Sequence, residues 1–270
     1  MLEQLYEIIG DQARIVLTHI EDKYLSDSLG RMHGTAAALV FPKTKEEVSG
    51  VLRFAHENGL PVTPRGAGTN LVGSTVPHGG IILDFSQMNR ILSLDRENLT
   101  VTVEPGALLQ DLQAYAEAQG LFYPPDPGEK TASIGGTIAT NAGGMRAVKY
   151  GVTRDYVRGL TVALADGELM TVGSKCVKDA SGLQLKQLLI GSEGTLAVTV
   201  ECLLRLIPKP ESSLSALVPF LSLEQAVRAV PQILRANVNP TAVEFIERSV
   251  VELGERYAKA ASRAGNAAFA

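Results

Sequence analysis

Cysteine is nearly missing from this chain. The two residues present, Cys176 and Cys202, stand far apart and offer neither metal-ligand spacing nor a disulfide framework, so a reducing cytoplasm is the expected compartment. Histidine is confined. All four, His19, His33, His56 and His78, lie in the first third of the chain, and nothing after His78 supplies an imidazole base or ligand. No metal site is expected. No basic cluster interrupts the net charge of −4, which argues against a nucleic-acid partner, because neutralising phosphates takes a basic surface. No apolar run reaches the roughly 20 residues of a membrane-spanning helix. The opening MLEQLYEIIGDQARIVLTHI lacks a basic stretch followed by an apolar one and reads as a helix, not a signal peptide. What remains is the composition of a soluble globular protein: 270 residues, 45% hydrophobic and 20% charged, enough to bury a large core.

Periodicity supplies the elements. Residues 36–41 read as a short buried strand ended by Pro42. Thr44 and Glu47 form a T-x-x-E capping box, and Val48, Val51, Leu52 and Ala55 then recur on one helical face. Asn58-Gly59 closes that helix, since glycine accepts the left-handed conformation. A strand begins at Leu60, and strand-helix-strand implies a parallel sheet. Residues 81–85 and 99–104 read as strands, and Leu108, Leu112, Tyr115 and Ala116 line a helix ending at Gly120. Residues 121–151 show no periodicity and read as a long functional loop. Val157–Leu164 and Leu169–Val172 form a hairpin across Asp166-Gly167. From Leu196 to Ile207 alternation predicts an antiparallel strand. Pro208-Lys209-Pro210 marks a boundary, followed by a strand at 214–220, a helix opened by Ser222 with Gln225, and a strand at Ala242–Ile246. The domain reading is therefore an N-terminal helical segment at 1–35, a main domain at 36–209, and half of a second α+β unit at 210–270.

Three segments carry chemistry. In Pro64–Thr75, PRGAGTNLVGST, Gly66 and Gly68 allow close backbone approach to an anion and a concave row of N–H donors. Thr69, Asn70 and Ser74 add neutral donors. A Rossmann fingerprint fails here because Leu71 stands where a third glycine belongs, and a Walker A loop fails for want of lysine. An ordinary glycine-rich surface turn is the plainer alternative. In Pro124–Gly144, prolines stiffen the approach, and Gly135-Gly136 and Gly143-Gly144 bare the backbone where a flat ring system could lie. A loop that merely tolerates small residues competes with that reading. In Leu188–Glu201, Gly191 and Gly194 bracket Ser192-Glu193 at a turn, where Glu193 is expected to accept a hydrogen bond from neighbouring backbone, with a catalytic carboxylate as the alternative reading.

The order of PRGAGTNLVGS, VEPGAL, PPDPG, ASIGGTIATNAGG, KYGVTRDYV and GSEGTLAVTVE resembles the FAD-linked oxidases with a p-cresol methylhydroxylase-type FAD-binding domain. Within them it is similar to the D subunit of glycolate oxidase and related D-lactate dehydrogenases, over most of residues 36–250. The resemblance implies an α+β fold: an FAD-binding domain of two α/β subdomains at 36–209, followed by an incomplete cap at 210–270. It implies noncovalent FAD, with Arg65, Gly66, Ala67, Gly68, Thr69, Asn70, Leu71, Gly73 and Ser74 around the pyrophosphate. Pro125, Asp126, Ser133, Gly135, Gly136, Asn141, Gly143 and Gly144 would line the rest of the path. Tyr150, Gly151, Glu193, Gly194 and Val198 would complete it.

Related enzymes carry histidine-rich motifs late in the cap. Here TAVEFIERS at 241–249 resembles the early cap strand and little follows it, so no catalytic residue is assigned. Arg146 and Lys149 are the cations best placed by sequence to meet a substrate carboxylate; ordinary solvated cations are the alternative. The function implied is the FAD-binding component of a 2-hydroxy-acid dehydrogenase, with an electron-acceptor subunit or carrier as partner and a cytoplasmic location, peripheral at a membrane through partners. A flavin-binding module without turnover of its own, and an NADPH-dependent reductase on the same fold, are competing readings. Half a cap leaves an exposed sheet face or edge, which implies self-association or partner binding through 210–270.

Overall fold

The computed structural model describes residues 3–258 and 268–269. After α1 (Gln4–Ile9), β1 (Ile15–Val16) and α2 (Asp22–Leu25) come β2 (Ala38–Val40), α3 (Lys45–Glu57), β3 (Val62–Arg65) and β4 (Ile81–Asp84). The four strands form one sheet in the order β1-β2-β4-β3. β4 runs parallel to both β2 and β3, as the strand-helix-strand pattern implies, and slots between them. The first 35 residues are less helical than the sequence suggests. β1 pairs antiparallel with β2, and Leu5, Ile9 and Ile15 are buried in the core beneath α3. Apolar residues drew that stretch into the sheet edge.

α3 begins as its cap dictates. The Thr44 hydroxyl accepts from the Glu47 amide at 3.2 Å. The reciprocal half of the box differs: the Glu47 carboxylate accepts from the Lys43 amide at 2.7 Å and pairs with Arg14 at 2.6 Å. Val48, Val51, Leu52 and Ala55 are buried, each contributing up to about 1.5–3 kcal/mol for a Val- or Leu-sized side chain. Gly59, at φ +63°, stops the helix.

The second sheet is antiparallel throughout. Its context is β5 (Ile91–Asp95), β6 (Thr100–Val103), α4 (Leu109–Ala118), β7 (Leu121–Phe122), α5 (Ile134–Ala139), α6 (Ala147–Tyr150), β8 (Val157–Ala163), β9 (Leu169–Gly173), α7 (Leu185–Leu189) and β10 (Val198–Arg205). The strand order is β5-β6-β10-β8-β9. β10, the alternating strand, is its centre. Val198 and Val200 enter the core shared with α3, while Cys202 and Leu204 enter the core under α4 and α5. One strand thus ties the two halves together. Residues 121–151 are not one irregular loop, since they contain β7, α5 and α6. Gly135-Gly136 hid α5, because glycine lowers helix propensity, yet Ser133 caps it by accepting from the Gly136 amide.

Beyond β11 (Ile207–Pro208), which pairs with β7, lie β12 (Pro219–Phe220), α8 (Leu223–Arg235), α9 (Arg248–Ala258) and β13 (Ala268–Phe269). The strand expected over 214–220 shrinks to β12. Ala242–Ile246 forms only a single bridge, at Ile246. β12 pairs only with β13, over Pro219–Phe220, and so short a two-stranded pairing has little to extend it. α8 starts where Ser222 accepts from the Gln225 amide at 3.3 Å, as the sequence implies.

Candidate functional site

The three glycine-bearing segments meet. At the end of β3 the chain turns through residues 66–75, and this bend packs on the start of α5 and on the 190–194 turn. Ser133 joins the first two segments: its hydroxyl accepts from the Ala67 amide at 3.3 Å and the Gly136 amide at 3.2 Å. A Cβ at Gly66 would fall 2.0 Å from that hydroxyl, so only glycine fits. Gly194 likewise lies against Pro64, where a Cβ would come within 2.7 Å of its ring. The turn itself is anchored to α5, since the Glu193 amide donates to the Ala139 carbonyl at 2.9 Å and the Gly191 amide to that of Ile138 at 3.0 Å.

Between these segments lies a cleft of about 220 Å³. The amides of Gly68, Thr69 and Asn70, which line it, and of Leu71 at the tip of the bend donate to no protein acceptor among the described residues. Successive N–H donors without protein acceptors are the raw material of an anion-binding nest. Asn70 shapes the far side of the bend, its Oδ1 accepting from the Ser74 amide at 3.0 Å and its Nδ2 donating to Thr75 at 2.7 Å. Arg65 lies beneath. Its buried guanidinium donates to the Lys23 carbonyl at 2.6 Å and the Thr75 hydroxyl at 3.2 Å, and sits 4.0 Å from Asp84. Burial pulls the Arg65 pKa down and pushes the Asp84 carboxyl up from their ordinary values. The guanidinium nevertheless stays protonated at ordinary pH, a fixed cation under the bend. The arrangement fits a phosphate-bearing group: neutral donors above, positive charge below.

Several of the residues expected from sequence line this cleft. They are Arg65 to Asn70, Ser74, Ser133, Gly135, Gly136, Glu193, Gly194 and Val198. Others lie around it. Leu71 is exposed at the tip of the bend, and Gly73 packs on Met32. Pro125 and Asp126 are buried behind the wall, where Asp126 pairs with Lys130 and with Arg146 at 3.3 Å. Gly144 is pressed against the Asp126 carbonyl and Gly143 against Val152, so those glycines serve chain crossing. Asn141, at φ +48°, accepts from the Arg154 amide at 3.0 Å. Tyr150 stacks edge-on to Phe122, and Gly151 lies against Asp155. Arg146 lies over the Phe122 ring at 5.1 Å and Lys149 over Tyr150 at 5.2 Å. The Glu193 carboxylate takes the Ser74 hydroxyl, a side chain, where a backbone donor was expected. Thr75, Phe85, Pro105 and Glu129 also line the cleft. Thr75, Pro105 and Glu129 fall within the segments and motifs singled out in the sequence, and Phe85 at the end of a buried strand, but none is among the site residues expected there.

Unpaired amides on a glycine-rich bend over a buried arginine, between a sheet with parallel strands and an antiparallel one, make a cleft suited to a phosphate-bearing ligand. Comparison with known proteins gives the family. The model of the FAD binding domain family matches residues 36–173, and that of the C-terminal domain of FAD linked oxidases matches residues 209–270. The chain belongs to the FAD binding domain family, and FAD is its cofactor. It is 45% identical over 260 residues to a D-lactate dehydrogenase of Anaerostipes hadrus, covering 95% of this chain and 54% of that protein. Against the glycolate oxidase subunit GlcD of Bacillus subtilis (strain 168) it is 42% identical over 238 residues, covering 87% and 51%. The chain thus spans about half the length of these curated relatives. A solved alkyldihydroxyacetonephosphate synthase superposes with TM-score 0.78 at 24% identity, over 94% of this chain and 49% of that one, a likeness of fold alone.

Proposed function

We propose that the chain is the FAD-binding component of a dehydrogenase acting on a small 2-hydroxy acid of the glycolate or D-lactate type. The observation that carries this reading is the convergence of three glycine-bearing segments on one cleft lined by free amides. The names of the two relatives supply the substrate class. The Gly68–Leu71 amides hold the diphosphate of a noncovalent FAD, Arg65 neutralises it from below, and Ser133 fixes the bend against α5. Bound there, FAD would supply a hydride acceptor for the substrate α-carbon. Arg146 and Lys149 are the cations assigned to the substrate carboxylate. Arg146 is held ready by Asp126, whose second partner Lys130 keeps that carboxylate neutralised if Arg146 turns toward a ligand.

None of the histidines lines the cleft among the described residues. No described residue is assigned as the base for the hydroxyl proton, and an electron-acceptor subunit or carrier receives the electrons. Such partners place a cytoplasmic chain at the membrane periphery. The described residues include no helix long and apolar enough to cross a membrane. Anaerobic mixing of the flavin-loaded chain with glycolate or D-lactate tests this function. Bleaching of the oxidised flavin band, alone or after adding a companion chain, is the expected result; a band that persists with every 2-hydroxy acid and partner rejects it.

A further inference from the structure

Asp84 closes β4 directly before Phe85, a residue of the cleft lining, and in the parallel register it stands opposite Arg65 on β3. Both side chains are buried, and the Arg65 Nε lies 4.0 Å from the Asp84 carboxylate. The other end of the guanidinium faces the bend, where a Cβ at Gly68 would fall 2.1 Å from it. One guanidinium therefore lies between a carboxylate and the backbone that receives the anion. Asp84 also caps the turn after β4, its Oδ1 accepting from the Ser86 amide at 2.9 Å, and asparagine can make the same cap. Burial pushes the Asp84 carboxyl up, but its bonds to Ser86 and the charges of Arg65 and Lys23 oppose this, and it stays ionised at pH 8. A buried arginine without a partner is costly, and a carboxylate beside it offsets part of that cost. The same carboxylate repels an anion in the bend.

We propose that Asp84 is the counter-charge of the phosphate-binding bend. It stabilises the buried Arg65 before an anion arrives, and it holds the grip on the diphosphate below what the guanidinium alone would exert. The inference rests on FAD occupying this cleft, and adds a residue that sets the strength of binding from behind the cleft lining. A residue that only supports the fold behaves otherwise, since its loss weakens folding and binding together. A counter-charge moves them in opposite directions.

Equilibrium titration of the apoprotein with FAD at pH 8, followed by flavin fluorescence, and thermal melting of the same apoprotein distinguish these cases. Asp84→Asn is expected to tighten Kd about tenfold, the order of one unit charge acting through partly screened protein. It is also expected to lower the melting temperature of the apoprotein by about 5 °C. Saturating FAD then raises the melting temperature more in the variant than in the parent chain. Should Asp84→Asn fail to fold, the comparison passes to Arg65→Gln, alone and combined with Asp84→Asn. Removing the pair together leaves neither charge buried without its partner, and the double variant is expected to bind FAD about tenfold more tightly than Arg65→Gln. FAD binding unchanged or weakened by Asp84→Asn in either background, or an Asp84→Asn apoprotein that melts no lower than the parent, overturns the counter-charge. If the parent chain binds no FAD, the cleft assignment fails and the inference with it; if it binds FAD and Asp84→Asn does not tighten that binding, only the counter-charge fails.

Discussion

Gly68 shows how one missing side chain shapes the cleft. At φ +69°, a Cβ there would sit 2.1 Å from the Arg65 guanidinium, whereas Gly120, at φ +72°, has nothing within 4 Å. Gly68→Val combines backbone strain with displacement of the buried cation, and is expected to lower bound flavin at least about tenfold, read from the visible absorbance of purified protein. Gly120→Ala carries only the strain, about 1–2 kcal/mol, and keeps its flavin; flavin lost equally from both would contradict the distinction. Tyr123 behaves differently. Its hydroxyl is fully buried in the core under α4 and α5 with no hydrogen-bond partner among the described residues, and burial raises its pKa far above the ordinary phenol value. Tyr123→Phe removes an unsatisfied group, so thermal unfolding should show no loss and a gain of up to about 1 kcal/mol; a loss above that size would mean the hydroxyl has a partner.

Among the elements, α3 carries the clearest pH signature. Burial pushes the Glu47 carboxyl up, but its hydrogen bonds with Arg14 and the Lys43 amide outweigh that and hold it below its ordinary value of 4.5. A folded pKa below the unfolded one stabilises fully above about pH 4.5, and the contribution fades as pH falls through the folded value. Glu47→Gln should therefore melt below the parent chain at pH 7, with the gap closing in acid; a gap constant from pH 7 to pH 3 would contradict the linkage. The helix was legible in sequence because cap, apolar face and stop glycine agree locally. α5 was not, because its two glycines argue against helix and its stability comes from Ser133, Pro105 and the 190–194 turn, all contacts distant in sequence or outside the helix. Arg65 illustrates the same limit at the site. Its place beside the phosphate-binding bend was readable, but the turn of its guanidinium down to Lys23 and Asp84 depends on tertiary neighbours.

For the whole molecule, the two halves are joined by β10 and the cleft lies where they meet, an arrangement the ordered motifs implied but no single one specified. Residues 209–258 are another matter. α8 exposes Leu223, Val227 and Leu234, and α9 exposes Val250 and Leu253, apolar faces of the kind proteins cover. Sedimentation velocity across a hundredfold concentration range should show reversible self-association that Val227→Glu weakens; a monomer throughout would contradict it. The central claim, that bare backbone amides grip the FAD diphosphate, is tested most directly by amide hydrogen exchange of the apoprotein and the FAD-loaded protein. Exchange at Gly68, Thr69, Asn70 and Leu71 is expected to slow at least about tenfold on loading. Unchanged exchange at those four amides, with FAD bound, would contradict it.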